Sequence, residues 1–318
     1  MQNDTKNSLN SLNSLESTHT IHISPHIDYI IFLDSDDYWE KECVEECVRG
    51  FARCEERGES VEIVWFEFSC LRNGRVSTDS DWMRLYGTEE KILIPQEWIQ
   101  KTRYFWLSWS ALIDFKFLKS IGLRFLNGVL HEDGNFGIML FMQAQRILRF
   151  PKTLYYYRIR EQSIMNPTPT QIPPAYLQEL YFSFKKGGED FNAYNRARSF
   201  FYLTLQITEF FDSLPQNDLT KMAKQNFLPT YIEQCFSVFN FYNDPLNLRG
   251  EFYKLLPYMK RIEFAHIELS FLQKTYVHPF LGTFSTKLRV AYLWQRDLER
   301  RFRRWRKGRK NLKCDKAR

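Results

Sequence analysis

Long apolar runs are missing from this chain of 318 residues. No stretch approaches the roughly 18 consecutive apolar residues that a membrane-spanning helix needs, which excludes a transmembrane segment from the expectations. The start of the chain, Met1 to Thr20, is polar and has no apolar core segment. No secretory signal is therefore expected, and the cytoplasm is the expected compartment. Cysteine is scarce too: six residues in a chain of this length make no disulfide framework. Cys43, Cys47 and Cys54 recur at helical spacing. The histidines nearest in sequence are only His26 and His131, so small buried thiols are expected there rather than zinc ligands. Positive charge is scarce outside the C-terminal end. Lys287 to Arg318 holds 14 basic and 3 acidic residues, a net +11, which leaves −5 on the remainder of a chain whose total is +6. The basic character thus belongs to the tail, and it calls for an anionic surface to meet it.

What is present is a hydrophobic content of 44% and an aromatic content of 17%, with 28 Phe and 17 Tyr. That is enough for two domains or one large one. Residues 1–27 carry a tandem Asn-Ser-Leu repeat from Asn7 to Leu15, and such low-complexity sequence is expected to be disordered. Tyr29 to Leu33 reads as a short buried strand, and Glu40 to Glu56 as a helix with its apolar positions, Cys43, Val44, Cys47, Val48 and Phe51, at helical spacing. Val61 to Phe68 reads as a strand, with a turn at Asn73-Gly74 and a short strand at Lys91 to Ile94. Helices are predicted from Pro95 to Lys101, from Phe115 to Ile121 with Gly122 closing it, and from Glu132 to Ala144. Two short strands, Arg146 to Phe150 and Thr153 to Tyr157, are expected on either side of Pro151. Four prolines between Asn166 and Pro174 mark a linker, and helices are expected over 175–186, 190–212, 216–239, 247–273 and 285–307.

Three clusters carry candidate chemistry. Asp34-Ser35-Asp36-Asp37 comes directly after the apolar run. Neighbouring carboxylates repel and raise each other's pKa unless a cation holds them. At the C-terminal end of a strand, where α/β sheets bind ligands, they suit a hard divalent cation with phosphate as co-ligand. A solvated turn is the plainer reading. Glu132-Asp133 opens a helix, where carboxylates are stabilised by the dipole. It reads as an N-terminal cap or as a general base with a neighbouring acceptor ligand. Arg158 and Arg160 share one face of an extended segment, which suits either a diphosphate or plain solvation. Trp106 and Trp109 are candidate sugar-stacking platforms or core residues.

Taken in order, these segments resemble family 2 glycosyltransferases, the inverting enzymes of GT-A fold. Asp28 to Glu40 looks like their metal-binding strand and turn. Trp109 to Ile113, Phe117-Leu118 and Ile121 to Phe125 are similar to their acceptor-side helix. His131 to Phe136 matches their Glu-Asp motif, and Leu154 to Arg160 with Ser163 to Met165 matches the closing segment. The resemblance covers about residues 28–165. It implies an α/β, GT-A-like sheet-and-helix domain followed by a mainly helical C-terminal region. It also implies Mn2+ or Mg2+ on Asp36, with Asp37 supporting the site and Asp34 near the ribose. Asp133 would be the base and Glu132 an acceptor ligand, with Arg158, Arg160 and Ser163 closing over the diphosphate. The activity implied is hexosyl or N-acetylhexosaminyl transfer from a nucleotide-sugar to a glycan or lipid-linked hydroxyl, as in lipopolysaccharide or capsule synthesis.

Family members carry a first nucleotide-binding unit ahead of the metal strand, and residues 1–27 do not resemble it. The expected organisation is therefore a low-complexity segment (1–27), a partial transferase domain (28–165), a helical region (166–286) and a basic tail (287–318). A truncated remnant or accessory protein unable to bind donor is the rival expectation, and a partner chain supplying the missing half is another. In the tail, Ala291, Trp294, Leu298, Phe302 and Trp305 form one apolar stripe opposite a face dense in Arg. Residues 288–306 are thus expected to lie on an anionic membrane, peripheral on the inner face of the cytoplasmic membrane. Nucleic acid is not expected, since no nucleic-acid motif accompanies the basic run.

Overall fold

The structure is a computed structural model that describes residues 27–77, 85–102, 108–160, 172–184, 188–241 and 243–259. The expected N-terminal repeat, Trp106, Ser163, most of the proline-rich linker and the basic tail lie outside these residues. The chain divides into two compact units. The first holds everything to Gln171 together with Gln206–Phe227, and the second holds Ile172–Leu205 and the residues from Leu228 onward.

The first unit is built on a mixed seven-stranded sheet, with order β1-β6-β3-β7-β2 and with β4 beside β3 and β5 beside β7. The strands are β1 (Tyr29–Ile31), β2 (Tyr38–Trp39), β3 (Ile63–Arg72), β4 (Arg75–Ser77), β5 (Lys91–Leu93), β6 (Ala111–Asp114) and β7 (Ile147–Ile159). The long pair, β3 and β7, runs parallel, and every other pairing is antiparallel. Helix α1 (Cys43–Glu56) lies between β2 and β3, α2 (Pro95–Ile99) follows β5, α3 (Phe115–Ile121) follows β6, and α4 (Glu132–Gln143) precedes β7.

The pattern that builds the sheet is clearest in β3. Ile63, Val64, Trp65, Phe66 and Glu67 are all buried, so both faces of the strand are covered. Val64 and Phe66 join the cluster under α1, where Cys43, Cys47, Phe51 and Cys54 pack against Leu148, Leu154 and Tyr155. The three thiols on one helix face are therefore core residues. Gly50 lets α1 approach this closely, because a Cβ there would meet the Leu148 side chain at 3.1 Å. On the other face, Trp65 meets Phe141 of α4 and Tyr86 edge-on, at ring-centroid distances of 5.8 and 5.0 Å. The Asn73-Gly74 turn has both residues at positive φ (50° and 74°), which matches the two-residue hairpin joining β3 to β4. Residues 206–227 dock on this unit. Asn226 donates its amide to the Ile99 carbonyl at 2.7 Å and also to that of Thr102, and Phe227 packs beside Trp98.

Several local expectations change. The two short strands around Pro151 are one strand, β7, with a bulge: Phe66 pairs with Phe150 but Glu67 with Thr153, so Pro151 and Lys152 fall outside the ladder. Residues 111–114, read by resemblance as the start of a helix, form β6; helix begins only at Phe115, capped by Asp114, which accepts from the Phe117 amide at 2.6 Å. The strand before the acidic turn is shorter and less buried than expected. β1 has three half-buried residues, pairs only with β6 among the described residues, and leaves Leu33 44% exposed. On α1, the apolar positions Val44 and Val48 are exposed.

The second unit is helical. It is formed by α5 (Ala175–Phe182), parts of α6 (Gly188–Ser213) and α7 (Asp218–Cys235), and short helical turns between Phe236 and Met259. The continuous helix expected over 247–273 is, within the described residues, a succession of turns from Leu248 to Met259. Asp244 organises them: it accepts from the Tyr194 hydroxyl at 2.6 Å, the Leu248 and Arg249 amides at 3.0 Å, and Arg249 Nε at 3.1 Å. Phe201, Phe236, Phe239 and Phe252 fill the interior. Among the described residues no helix is long and apolar enough to cross a membrane.

The β3–β7 pair carries a fully buried ion pair at the bulge. Arg149 donates through Nη2 to Glu67 and through Nη1 to the Phe150 carbonyl at 2.7 Å, while its guanidinium lies 5.1 Å over Trp65. Glu67→Ala or Arg149→Ala is expected to cost about 3–5 kcal/mol, because each leaves an uncompensated buried charge. The double replacement Glu67→Leu/Arg149→Met should cost less than the two single losses added. Urea unfolding followed by circular dichroism checks this; additive losses would mean that the two charges do not depend on each other.

Candidate active site

The two acidic segments come together through aromatic packing. After β1 the chain turns at Asp34–Asp37, with the Asp37 amide donating to the Asp34 carbonyl at 3.0 Å. Phe32, just before the turn, packs edge-on against Phe125 and Phe136 at 5.1 and 5.5 Å. Phe125 and Phe136 themselves stack at 3.9 Å. Phe136 belongs to the second turn of α4, so this cluster brings the acidic turn to the N-terminus of that helix. His131 ahead of it adopts a left-handed conformation (φ 66°), and Glu132 and Asp133 occupy the first turn.

This convergence sets the electrostatics. Loss of hydration raises Asp34, and the neighbouring Asp37 and Asp36 charges add to it. Loss of hydration also raises Glu132, with a contribution from Asp34. Asp133 is pushed up to about 6, first by burial and then by Glu132, against a lowering hydrogen bond from Trp109. A carboxylate with that value is ionised at neutral pH and basic enough to accept a proton.

Each remaining expected site residue has a definite place. Asp37 accepts from the Tyr155 hydroxyl at 2.6 Å and from the Arg158 amide at 2.7 Å. Asp36 is paired with Arg160, whose Nε donates to Oδ2 at 2.6 Å. Arg160 and Arg158 are both exposed at the end of β7, and it is Arg158's backbone that meets the acidic turn. Ser163 lies outside the described residues. Among the described residues no three His, Cys, Asp or Glu side chains converge to hold a metal ion. Asp36 and Asp37 instead turn to different partners. The donor set still suits Mg2+ or Mn2+, which bind through one or two carboxylates and complete their shell with substrate phosphates and water. The Arg160 guanidinium already stands against Asp36, so a metal ion on that oxygen would have to displace it.

Trp109, Tyr155 and Tyr157 are the residues that sequence reasoning undervalued. Trp109 is not an open sugar platform: it is 8% exposed, packed on Tyr155 (4.6 Å) and Tyr157 (5.9 Å), and donates Nε1–H to Asp133 Oδ2 at 3.3 Å. Tyr157 is raised by burial and then by the charges of Asp37, Asp133, Asp34 and Asp36. Period-two alternation in β7 does put Tyr155 and Tyr157 on one face, and that was the available signal. The long-range partner of Trp109 had no local signature.

No family model matches the sequence, and no curated protein matches it. Solved structures of S. aureus TarS are similar to it at the level of the backbone. TarS 1–349 in complex with UDP aligns with a TM-score of 0.43 and 15% identity, over 74% of this chain and 56% of that one. TarS 1–349 alone gives 0.42 and 15%, over 73% and 54%. A further TarS structure gives 0.43 and 15%, over 73% and 34%. The chain thus spans about half the length of the first two and a third of the last.

Burial of Asp133 has a consequence for stability. Its folded value, about 6, lies above the ordinary 3.8, so the folded state binds this proton more tightly than the unfolded state. The resulting stabilisation is complete below the ordinary value and is lost as pH rises through 6. Asp133→Asn should therefore be more stable than wild type by roughly 1–3 kcal/mol at about pH 7.5, with the gap closing near about pH 4. Thermal melts of the two proteins across that range check the sign; a gap independent of pH would contradict it.

Proposed function

We propose that the chain is a metal-dependent, inverting glycosyltransferase that moves a sugar from a nucleoside-diphosphate sugar to an acceptor hydroxyl. The observation that carries this reading is the meeting of two unlike acidic sites on one surface. One is a carboxylate raised to about 6 at the start of α4. The other is an acidic turn bearing a carboxylate–guanidinium pair. The first suits a base and the second suits a diphosphate with its cation.

In this mechanism the Asp133 carboxylate takes the proton of the acceptor hydroxyl. The acceptor oxygen forms its bond to the anomeric carbon as that carbon's bond to the diphosphate oxygen breaks. The bonding pair leaves with the nucleoside diphosphate, so configuration inverts. Glu132 holds the acceptor by hydrogen bonds. Asp36 would hold Mn2+ or Mg2+, which supplies positive charge for the departing diphosphate when bound. Arg160 sits where it can exchange Asp36 for a phosphate oxygen, and Arg158 stands exposed beside it. Asp37, held by Tyr155 and the Arg158 amide, fixes the turn. Asp34 would sit near the ribose. The finer reading is hexosyl or N-acetylhexosaminyl transfer to a glycan or lipid-linked acceptor in surface polysaccharide synthesis, with the basic tail at an anionic membrane. The UDP bound to the TarS neighbour accords with a nucleotide-sugar donor.

Calorimetric titration of a nucleoside diphosphate with Mn2+ tests the donor site. Saturable, metal-dependent binding is expected, lost in Asp36→Ala and retained in Asp133→Asn; no saturable binding to wild type would reject the reading. With an active donor–acceptor pair, Asp133→Asn should lower turnover roughly 10²- to 10⁴-fold. Arg160→Ala should raise the affinity for Mn2+ alone by up to about fivefold, since an exposed ion pair is worth at most about 1 kcal/mol. The same change should weaken nucleotide binding. Paramagnetic resonance of free Mn2+ reads the first effect, and an unchanged affinity would mean that Arg160 and the cation do not share Asp36.

A further inference from the structure

Trp109 stands between the two halves of the acidic site and touches both. Its indole N–H donates to Asp133 Oδ2 at 3.3 Å. Its ring packs on Tyr155, whose hydroxyl donates to Asp37 Oδ2 at 2.6 Å, and stacks with Tyr157 at an interplanar angle of 20°. Phe68 closes the remaining side edge-on at 4.9 Å. The indole therefore has little freedom to rotate, and neither does the group it holds. We propose that Trp109 is a positioning residue for glycosyl transfer: its N–H fixes the rotamer of Asp133 by engaging Oδ2, and so leaves Oδ1 to receive the acceptor proton.

This role rests on the glycosyl-transfer reading and adds to it a residue outside the acidic motifs. A carboxylate in the first turn of a helix can rotate its oxygens among solvent and the free backbone amides there. A base must instead hold one oxygen within hydrogen-bond reach of the proton it removes, and a misplacement near 1 Å can cost about a hundredfold in rate. Trp109 supplies that restraint from the segment just before β6, a strand paired on both sides within the sheet. The indole N–H, and after it the Gly134 backbone amide, favours the ionised form of Asp133. It works against Glu132 on the same helix and Asp34 on the acidic turn, whose charges oppose ionisation. Tyr157 on β7, which stacks with the indole, stays protonated, since burial and the nearby carboxylate charges raise its phenol.

The test compares the full-length wild type with two variants that keep the aromatic packing but lose the donor. One is Trp109→Phe; the other replaces the indole by benzothiophene, which has the same outline and no N–H. Both should keep the wild-type melting temperature within a few degrees and the donor KM within about twofold, while kcat falls roughly tenfold to a hundredfold. The acid limb of the pH–rate profile should move up by about one pH unit, because the hydrogen bond that favours the carboxylate is gone. The same upward shift should appear in the Asp133 carboxyl titration of the free protein, followed by carbon NMR, whether or not a substrate is known. If the benzothiophene variant matches wild type in kcat and in the Asp133 titration, Trp109 is a packing residue and the proposal is overturned. A wild type that shows the titration shift on substitution but transfers no sugar would reject the glycosyl-transfer reading and leave the Trp109–Asp133 contact standing.

Discussion

The parallel pairing of β3 with β7 is the constraint on which the rest of the first unit depends. It is the longest ladder in the sheet, from Ile63 beside Ile147 to Arg72 beside Ile159. Parallel strands need cover on both faces, and α1 supplies one face while α4 with Trp98 supplies the other. The buried Glu67–Arg149 pair sits where the ladder slips, by two residues between Phe66 and Glu67 and by one more before Phe68, and the bulge increases twist and re-aims the rest of the strand. That distal half of β7 carries Tyr155, Tyr157 and Arg158 and leads into Arg160. Every contact that β7 makes with the acidic turn lies beyond the bulge, so the placement of the candidate site is set by a slip in the core ladder.

The acidic turn has no regular structure to hold it and is held by its neighbours. β2 is only two residues long, but it pairs with Tyr155 and Tyr156 and so places Asp37 against β7. From the other direction, Phe32 anchors the turn to α4 through Phe125 and Phe136. The turn is thereby pinned at both ends, while Asp36 between them faces Arg160. This arrangement separates two functions in adjacent residues. Asp37 accepts from the Tyr155 hydroxyl and the Arg158 amide and so holds the turn, whereas Asp36 pairs with the exposed side chain of Arg160.

Much of this was legible from local pattern, and the losses share a cause. Periodicity and caps located α1, α3 and α4 to within a few residues, and Gly122 does end α3 in a left-handed conformation. The Asn73-Gly74 turn was equally clear. Local pattern failed where long-range pairing overrides it. Pro151 suggested two strands because proline removes a ladder donor, yet the bulge accommodates it within one. Ala111 to Asp114 is helical only by resemblance, since the periodic pattern starts the helix at Phe115; pairing with Ile31 and Val64 through Leu112 makes these residues a strand. The candidate site divides the same way. The acidic residues announce themselves by charge, whereas Trp109 acquires its meaning from Asp133, a partner 24 residues away.

The distribution of charge explains why the aromatic residues are where they are. Asp34, Asp36, Asp37, Glu132 and Asp133 gather in one region, and their mutual repulsion must be offset or relieved. Arg160 offsets part of it at Asp36. Asp37 is offset by two neutral donors, the Tyr155 hydroxyl and a backbone amide, and Asp133 by two more, the indole of Trp109 and the Gly134 amide. Neutral donors stabilise a carboxylate without cancelling its charge. A region treated this way stays negative and keeps its attraction for a cation, while the rotamers of its acids are fixed. A set of arginines would have satisfied the same oxygens and abolished that field. The use of tyrosine and tryptophan rather than further cations at Asp37 and Asp133 thus leaves the cluster with net negative charge instead of sealing it as a network of salt bridges.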